Sequence, residues 1–128
     1  MNWMRIGAVM AALAVTTGAL GAHALTAQLA SSGHTEHWKT AVQYQFAVIP
    51  ALFLLAFVRA PRICGPALLS GCLFFSGSLY ALCLGGPKWL GAVTPVGGVL
   101  LILGHLSLVF AKRLASEPSA KERGEVPN

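Results

Sequence analysis

Residues 63–84, ICGPALLSGCLFFSGSLYALCL, run for 22 positions without an Asp, Glu, Lys or Arg. At about 1.5 Å of rise per residue the run makes a helix roughly 30 Å long, the thickness of the hydrocarbon layer of a bilayer. Backbone groups in that layer find no water and must bond within their own segment, which selects a helix over a strand. Three further runs have the same character, at 6–25, 40–58 and 90–111, and none holds a formal charge. No alternating pattern of the membrane-barrel kind occurs.

The composition agrees. The chain has 128 residues, of which 55% are hydrophobic and 10% charged. A soluble domain carries about 25% charged residues, so the soluble globular and disordered classes are excluded. The connections are short: residues 26–39 form the longest, 59–62 turn around Pro61, and 85–89 read Gly-Gly-Pro-Lys-Trp. Short loops make successive helices antiparallel. The expected fold is an all-α membrane protein, an antiparallel four-helix transmembrane bundle over residues 1–113. Residues 114–128, rich in Glu, Lys, Ser and Pro, are expected to form a disordered cytoplasmic tail. Ala22-His23-Ala24 after the first run resembles a signal-peptide cleavage site. The run is longer than the usual stretch of roughly 7–15 residues, which favours a retained helix.

The net charge is +5. Its placement follows membrane topology, and no basic stripe interleaved with aromatics suggests nucleic acid. With four spans, Arg5, Arg59, Arg62, Lys112, Arg113, Lys121 and Arg123 share one side, and only Lys39 and Lys88 lie on the other. That asymmetry places both termini in the cytoplasm; the expected location is a bacterial inner membrane. Trp38 and Trp89 then mark the outer interface and Trp3 the inner one.

Polar residues gather toward the outer ends of the spans. His23, Gln43, Tyr44, Gln45, Ser76, Ser78, Tyr80 and Thr94 fall within about 12 Å of that end. Thr16, Thr17, Ser70, His105 and Ser107 lie deeper. Polar groups in lipid need partners, so the outer set is expected to face inward. A structural hydrogen-bond network is the plainer reading; a small binding pocket open to the outer side is the functional one. Ser78 shares a helix face with Gly71 and Ala81, whereas Ser76 points about 200° away and is expected to bond back to the Cys72 carbonyl. Small residues at Gly7, Ala11, Ala14, Gly18 and Gly21 or Ala22, and at Ser70, Gly71, Gly77, Ser78 and Ala81, suit close helix packing. Pro50 and Pro95 are candidate kinks.

Cys64, Cys72 and Cys83 all lie on the third run, roughly 12 and 16 Å apart along a helix, too far for disulfides within the chain. They read as small packing residues. His23 and His105 sit at opposite depths and cannot share one haem iron. A zinc site from His23, His34 and His37 would need a flexible loop to close. No paired carboxylates, nucleophile elbow, phosphate loop or Cys-x-x-Cys motif occurs. The expectation is no metal, no cofactor and no catalysis.

Four blocks in order, GALGAHAL at 18–25, WKTAVQYQ at 38–45, FSGSLY at 75–80 and TPVGG at 94–98, make the chain resemble the domain of unknown function 423 family. These are small inner-membrane proteins whose animal relatives are known as transmembrane protein 256. The resemblance covers most of residues 5–111 and implies four spans. It implies no biochemistry. Two positions depart from the family pattern: Val48 stands where a His is usual, and His105 where a Trp is common. The leading functional expectation is a non-catalytic accessory, assembly or structural subunit, partnered by lipid, by other membrane subunits or by itself. The alternative is a small transporter or a lipid- or small-molecule-binding protein using the outer polar cluster.

Overall fold

A computed structural model describes residues 1–114. Of the tail expected over 114–128, residues 115–128 lie outside the described residues. Four long helices dominate: α1 (Trp3–Ala19), α3 (Thr35–Leu54), α4 (Cys64–Cys83) and α5 (Leu90–Ser107), with the short α2 (Thr26–Ser32) between the first two. Asn2 caps α1 by accepting a hydrogen bond from the Arg5 amide at 3.2 Å. From Leu20 to Ala24 the chain continues as one wider, π-helical stretch, so the first helical path extends from Trp3 to Ala24. A 3-10 turn, Leu108–Phe110, closes α5.

Two boundaries differ from expectation. The connection over 26–39 is not a loop: it holds α2 and the first turn of α3. Leu29 explains α2, because it is buried against Trp38 and Cys83 and anchors the segment. Gly33 then ends α2 with φ 72, a left-handed turn that glycine adopts without strain. α3 begins at Thr35, five residues before the apolar run, with Glu36 in its first turn where the helix dipole favours an acid. It also stops early, at Leu54. Val58–Arg59 leaves the helix as β1 and pairs antiparallel with β2, Lys112–Arg113, matching Val58 with Arg113 and Arg59 with Lys112.

Among the described residues, three helical paths are long and apolar enough to cross a membrane: Trp3–Ala24, Cys64–Cys83 and Leu90–Phe110, with mean hydropathies of 1.5, 1.5 and 2.0. α3 has the length without the hydropathy, because its first eleven residues carry Glu36, His37, Lys39, Gln43 and Gln45.

Each long helix packs on the next in the chain: α1 on α3, α3 on α4, α4 on α5. The last contact is the tightest. A Cβ on Gly97 would lie 2.3 Å from the Phe75 backbone nitrogen, and one on Gly71 would lie 2.8 Å from that of Leu101, so these glycines let the two backbones touch. Val48, Leu52, Cys64, Leu68, Cys72 and Leu101 form the main core. Pro50 and Pro95 stay inside α3 and α5 without ending either. α1 meets α4 differently. Trp3 lies over Gly65 at one end and Thr17 touches Tyr80 toward the other, with a hollow between.

Candidate functional site

The hollow between α1 and α4 has a volume of about 400 Å³. Met10 and Leu13 of α1 and Leu69 and Leu73 of α4 form its apolar walls. Leu13 and Leu73 are 49% and 67% exposed, so the mouth opens on the flank of the helices. Four polar side chains line it, Thr17, Gln45, Ser76 and Tyr80, and three of them, from three helices, meet one another: Thr17, Gln45 and Tyr80.

Their bonding is specific. The Tyr80 hydroxyl donates to Gln45 Oε1 at 2.8 Å. Thr17 Oγ1 lies 3.3 Å from the same oxygen and 3.1 Å from the Tyr80 hydroxyl, and it also donates within its own helix to the Leu13 carbonyl at 3.0 Å. The Gln45 carbonyl oxygen is thus enclosed by hydroxyls. Its amide nitrogen, with two donor hydrogens, bonds to no acceptor among the described residues, although Gln45 is only 5% exposed. Buried donors normally find acceptors. Gln45 lines the hollow.

A second polar contact is separate. Ser78 and Thr94 hydroxyls meet at 2.7 Å and join α4 to α5. Ser76 does not bond back to the Cys72 carbonyl; it donates to the Ala41 carbonyl of α3 at 2.7 Å. Ser76 and Ser78 are both buried, one toward each neighbouring helix.

The outer set therefore does not form one network. Gln45 and Tyr80 join with Thr17, and Ser78 joins Thr94. His23, Gln43 and Tyr44 stand apart. His23 is exposed on the π-helical stretch, and its ring has no hydrogen bond among the described residues. Gln43 borders a smaller hollow of about 250 Å³ between α1 and α3. Tyr44 is 44% exposed and stacks on Phe75 with ring centres 4.2 Å apart. A pocket at the outer end drawn from all seven residues is not what the chain builds. The site it builds lies deeper and opens sideways.

Thr17 was the residue that depth alone set aside. Its spacing held the signal: it follows Ala14 by three positions and precedes Gly21 by four, on the small-residue stripe that faces α3. The histidines do not converge. The His34 and His37 rings lie 5.7 Å apart edge to face, and no set of three or more His, Cys, Asp or Glu gathers among the described residues. His105 Nδ1 lies 2.8 Å from the Leu101 carbonyl of its own helix. All three cysteines are free and buried, and the Cys64 thiol donates to the Gly104 carbonyl at 3.3 Å as a helix-to-helix contact.

What the site can do follows from its groups. It has hydroxyls and an amide but no formal charge, in an apolar hollow open to the flank. Such a site can hold an uncharged polar head by hydrogen bonds and let an apolar remainder lie against the helices.

No solved structure matches the chain. Sequence relatives do. A UPF0382 membrane protein of Staphylococcus epidermidis is 41% identical over 111 residues, covering 83% of this chain and 90% of its own. One from Staphylococcus aureus is 39% identical over the same coverage. The UPF0382 membrane protein YwdK of Bacillus subtilis is 36% identical over 83% of this chain and 91% of its own. Residues 17–98 match the family described as "Protein of unknown function (DUF423)", a span that contains Thr17, Gln45 and Tyr80. The chain belongs to the DUF423 family and is a helical membrane protein like these bacterial relatives.

Proposed function

We propose that the chain crosses the bacterial inner membrane four times, with both termini in the cytoplasm, and binds a neutral, lipid-soluble molecule without transforming it. Four spans are supported by the packing of α3. It runs antiparallel between α1 and α4, so a membrane that holds those two encloses α3 as well. The polar half of α3 is tolerable there because Gln45 is turned into the protein and bonded. Orientation is supported by the cations, seven of nine on the side of the termini.

The single observation that carries the binding role is the Gln45 amide. An amide nitrogen without a protein acceptor, on a largely buried residue that lines a hollow of about 400 Å³, suits a ligand that brings an acceptor. A carbonyl or ether oxygen on an apolar frame fits; an ion does not, for want of a counter-charge. The site offers no carboxylate, free imidazole or exposed thiol, which supports binding over catalysis. The test is extraction of the protein purified in a mild detergent, followed by mass spectrometry of the apolar fraction. The wild type is expected to carry a stoichiometric neutral compound that Gln45→Leu loses. A wild type that carries none defeats the reading.

An accessory role in a larger membrane complex is favoured by a different observation. α5 packs on α4 and turns Val99, Ile102, Leu106 and His105 outward. An imidazole facing lipid is unfavourable and better covered by protein. The same purification tests it, since a complex would bring stoichiometric partner chains.

A further inference from the structure

The β1–β2 ladder joins the α3–α4 connection to the end of α5 and sets Arg59 directly opposite Lys112. Arg113 pairs with Val58 one step along, and the Leu114 amide donates to the Phe57 carbonyl at 3.4 Å. Like charges placed opposite each other on a ladder repel. The one ion pair among the described residues, Lys39 with Glu36, is at the other end of the molecule. Membrane topology asks for cations on this side; it does not ask two of them to face each other. Arg59 also lines the cleft beside the ladder, where a bound anion would offset that repulsion.

Beside the ladder a cleft of about 430 Å³ is lined by Arg59, Arg62, Val58 and Trp3, and by Pro66 at its far wall. The Trp3 indole lies against Gly65, and an amphipathic ring of this kind settles at the headgroup level of a bilayer. Pro66 also borders a second depression, an apolar groove of about 550 Å³ along α4 and α5 that includes Ile63, Ala67, Leu103 and Leu106. A cationic cleft at headgroup level and an apolar groove running from it thus share a wall.

We propose that this end of the molecule binds an anionic phospholipid, with its phosphodiester held by Arg59 and Arg62 and one acyl chain along the α4–α5 groove. The guanidinium fork matches phosphate oxygens two at a time. A free phosphate would satisfy the arginines and leave the groove unused, so the lipid is the occupant that uses both features. The site is distinct from the hollow between α1 and α4, and neither depends on the other.

The experiment uses the full chain in a mild detergent, titrated with phosphatidylglycerol, phosphatidylcholine or inorganic phosphate, with bound lipid counted by native mass spectrometry. Phosphatidylglycerol is expected to bind in preference to phosphatidylcholine, and its dihexanoyl form to bind more weakly than the long-chain lipid. Each cation near a lipid surface contributes about fivefold, so Arg59→Gln with Arg62→Gln should weaken phosphatidylglycerol by about 25-fold. Arg5→Gln, at the same end but outside the cleft, should change it less than about twofold. If the double variant does not fold, Arg62→Gln alone should still show roughly a fivefold loss. Equal retention of the two lipids, equal displacement by millimolar phosphate, or an Arg5→Gln loss as large as that of the arginine pair overturns the proposal. The last outcome would reduce the cluster to diffuse surface charge.

Discussion

The Tyr80 hydroxyl donates to Gln45 Oε1 at 2.8 Å, tying α4 to α3 across 35 positions of sequence at the edge of the hollow between α1 and α4. The bond holds the Gln45 carbonyl against the hydroxyls, on a residue that lines the hollow. An interhelical hydrogen bond in a membrane protein contributes about 0.6 kcal/mol on average and at most about 1.7. Tyr80→Phe and Gln45→Leu, singly and together, should give a coupling energy within that range in detergent unfolding. A coupling of zero would mean that the two side chains do not meet in the membrane.

The α4–α5 contact should be the least tolerant of added volume. A Cβ on Gly97 would press into the Phe75 backbone, whereas one on Gly91, in the first turn of α5, meets nothing within 4 Å. Gly97→Ala is expected to lower stability by about 1–3 kcal/mol through overpacking. Gly91→Ala should be neutral or stabilising by up to about 1 kcal/mol from helix propensity. Thermal denaturation followed by helical ellipticity checks both. Equal effects would show that the close approach is absent.

The long helices were legible in the residues because apolar runs of bilayer length leave the chain few alternatives. α2 was not, because one buried Leu29 among polar neighbours gives no periodicity to read; its reason is tertiary, the contact with Trp38 and Cys83. The polar site was half legible. Depth along each span singled out Gln45, Tyr80, Ser78 and Thr94, which bond across helices, but depth says nothing of direction around a helix. That is why His23, Gln43 and Tyr44 were grouped with them and Thr17 was not. The π-helical stretch over Leu20–Ala24 shifts the direction of His23 further, and a periodicity of 3.6 does not anticipate such a shift.

Topology is open to a direct check. A reporter fused after Arg113 should respond as cytoplasmic. One inserted at Gly33, where the turn has positive φ and open space around it, should respond as periplasmic. Both results depend on α3 crossing the membrane. A cytoplasmic response at both sites would require α3 to lie outside the bilayer and would remove the four-span reading.

Trp38 offers a test of how the end of α1 is held. Its ring is 4% exposed and stacks obliquely on Tyr80 with centres 4.7 Å apart. Its Nε1–H donates to the Thr17 carbonyl at 2.9 Å, close to where α1 gives way to the wider π turn. Gly21 lies directly under the indole: a Cβ there would stand 2.2 Å from Trp38 Nε1. Two effects can therefore be separated. Trp38→Phe keeps an aromatic ring but removes the donor, and should cost about 1–2 kcal/mol while speeding amide exchange over residues 17–24. Gly21→Ala in the wild-type background forces the indole aside and should cost as much or more. In the Trp38→Phe background the smaller ring leaves room, so the same Gly21→Ala change should be milder, a departure from additivity of at least about 0.5 kcal/mol. Strict additivity would show that the indole does not rest on Gly21, and that another contact holds the end of α1 against α3.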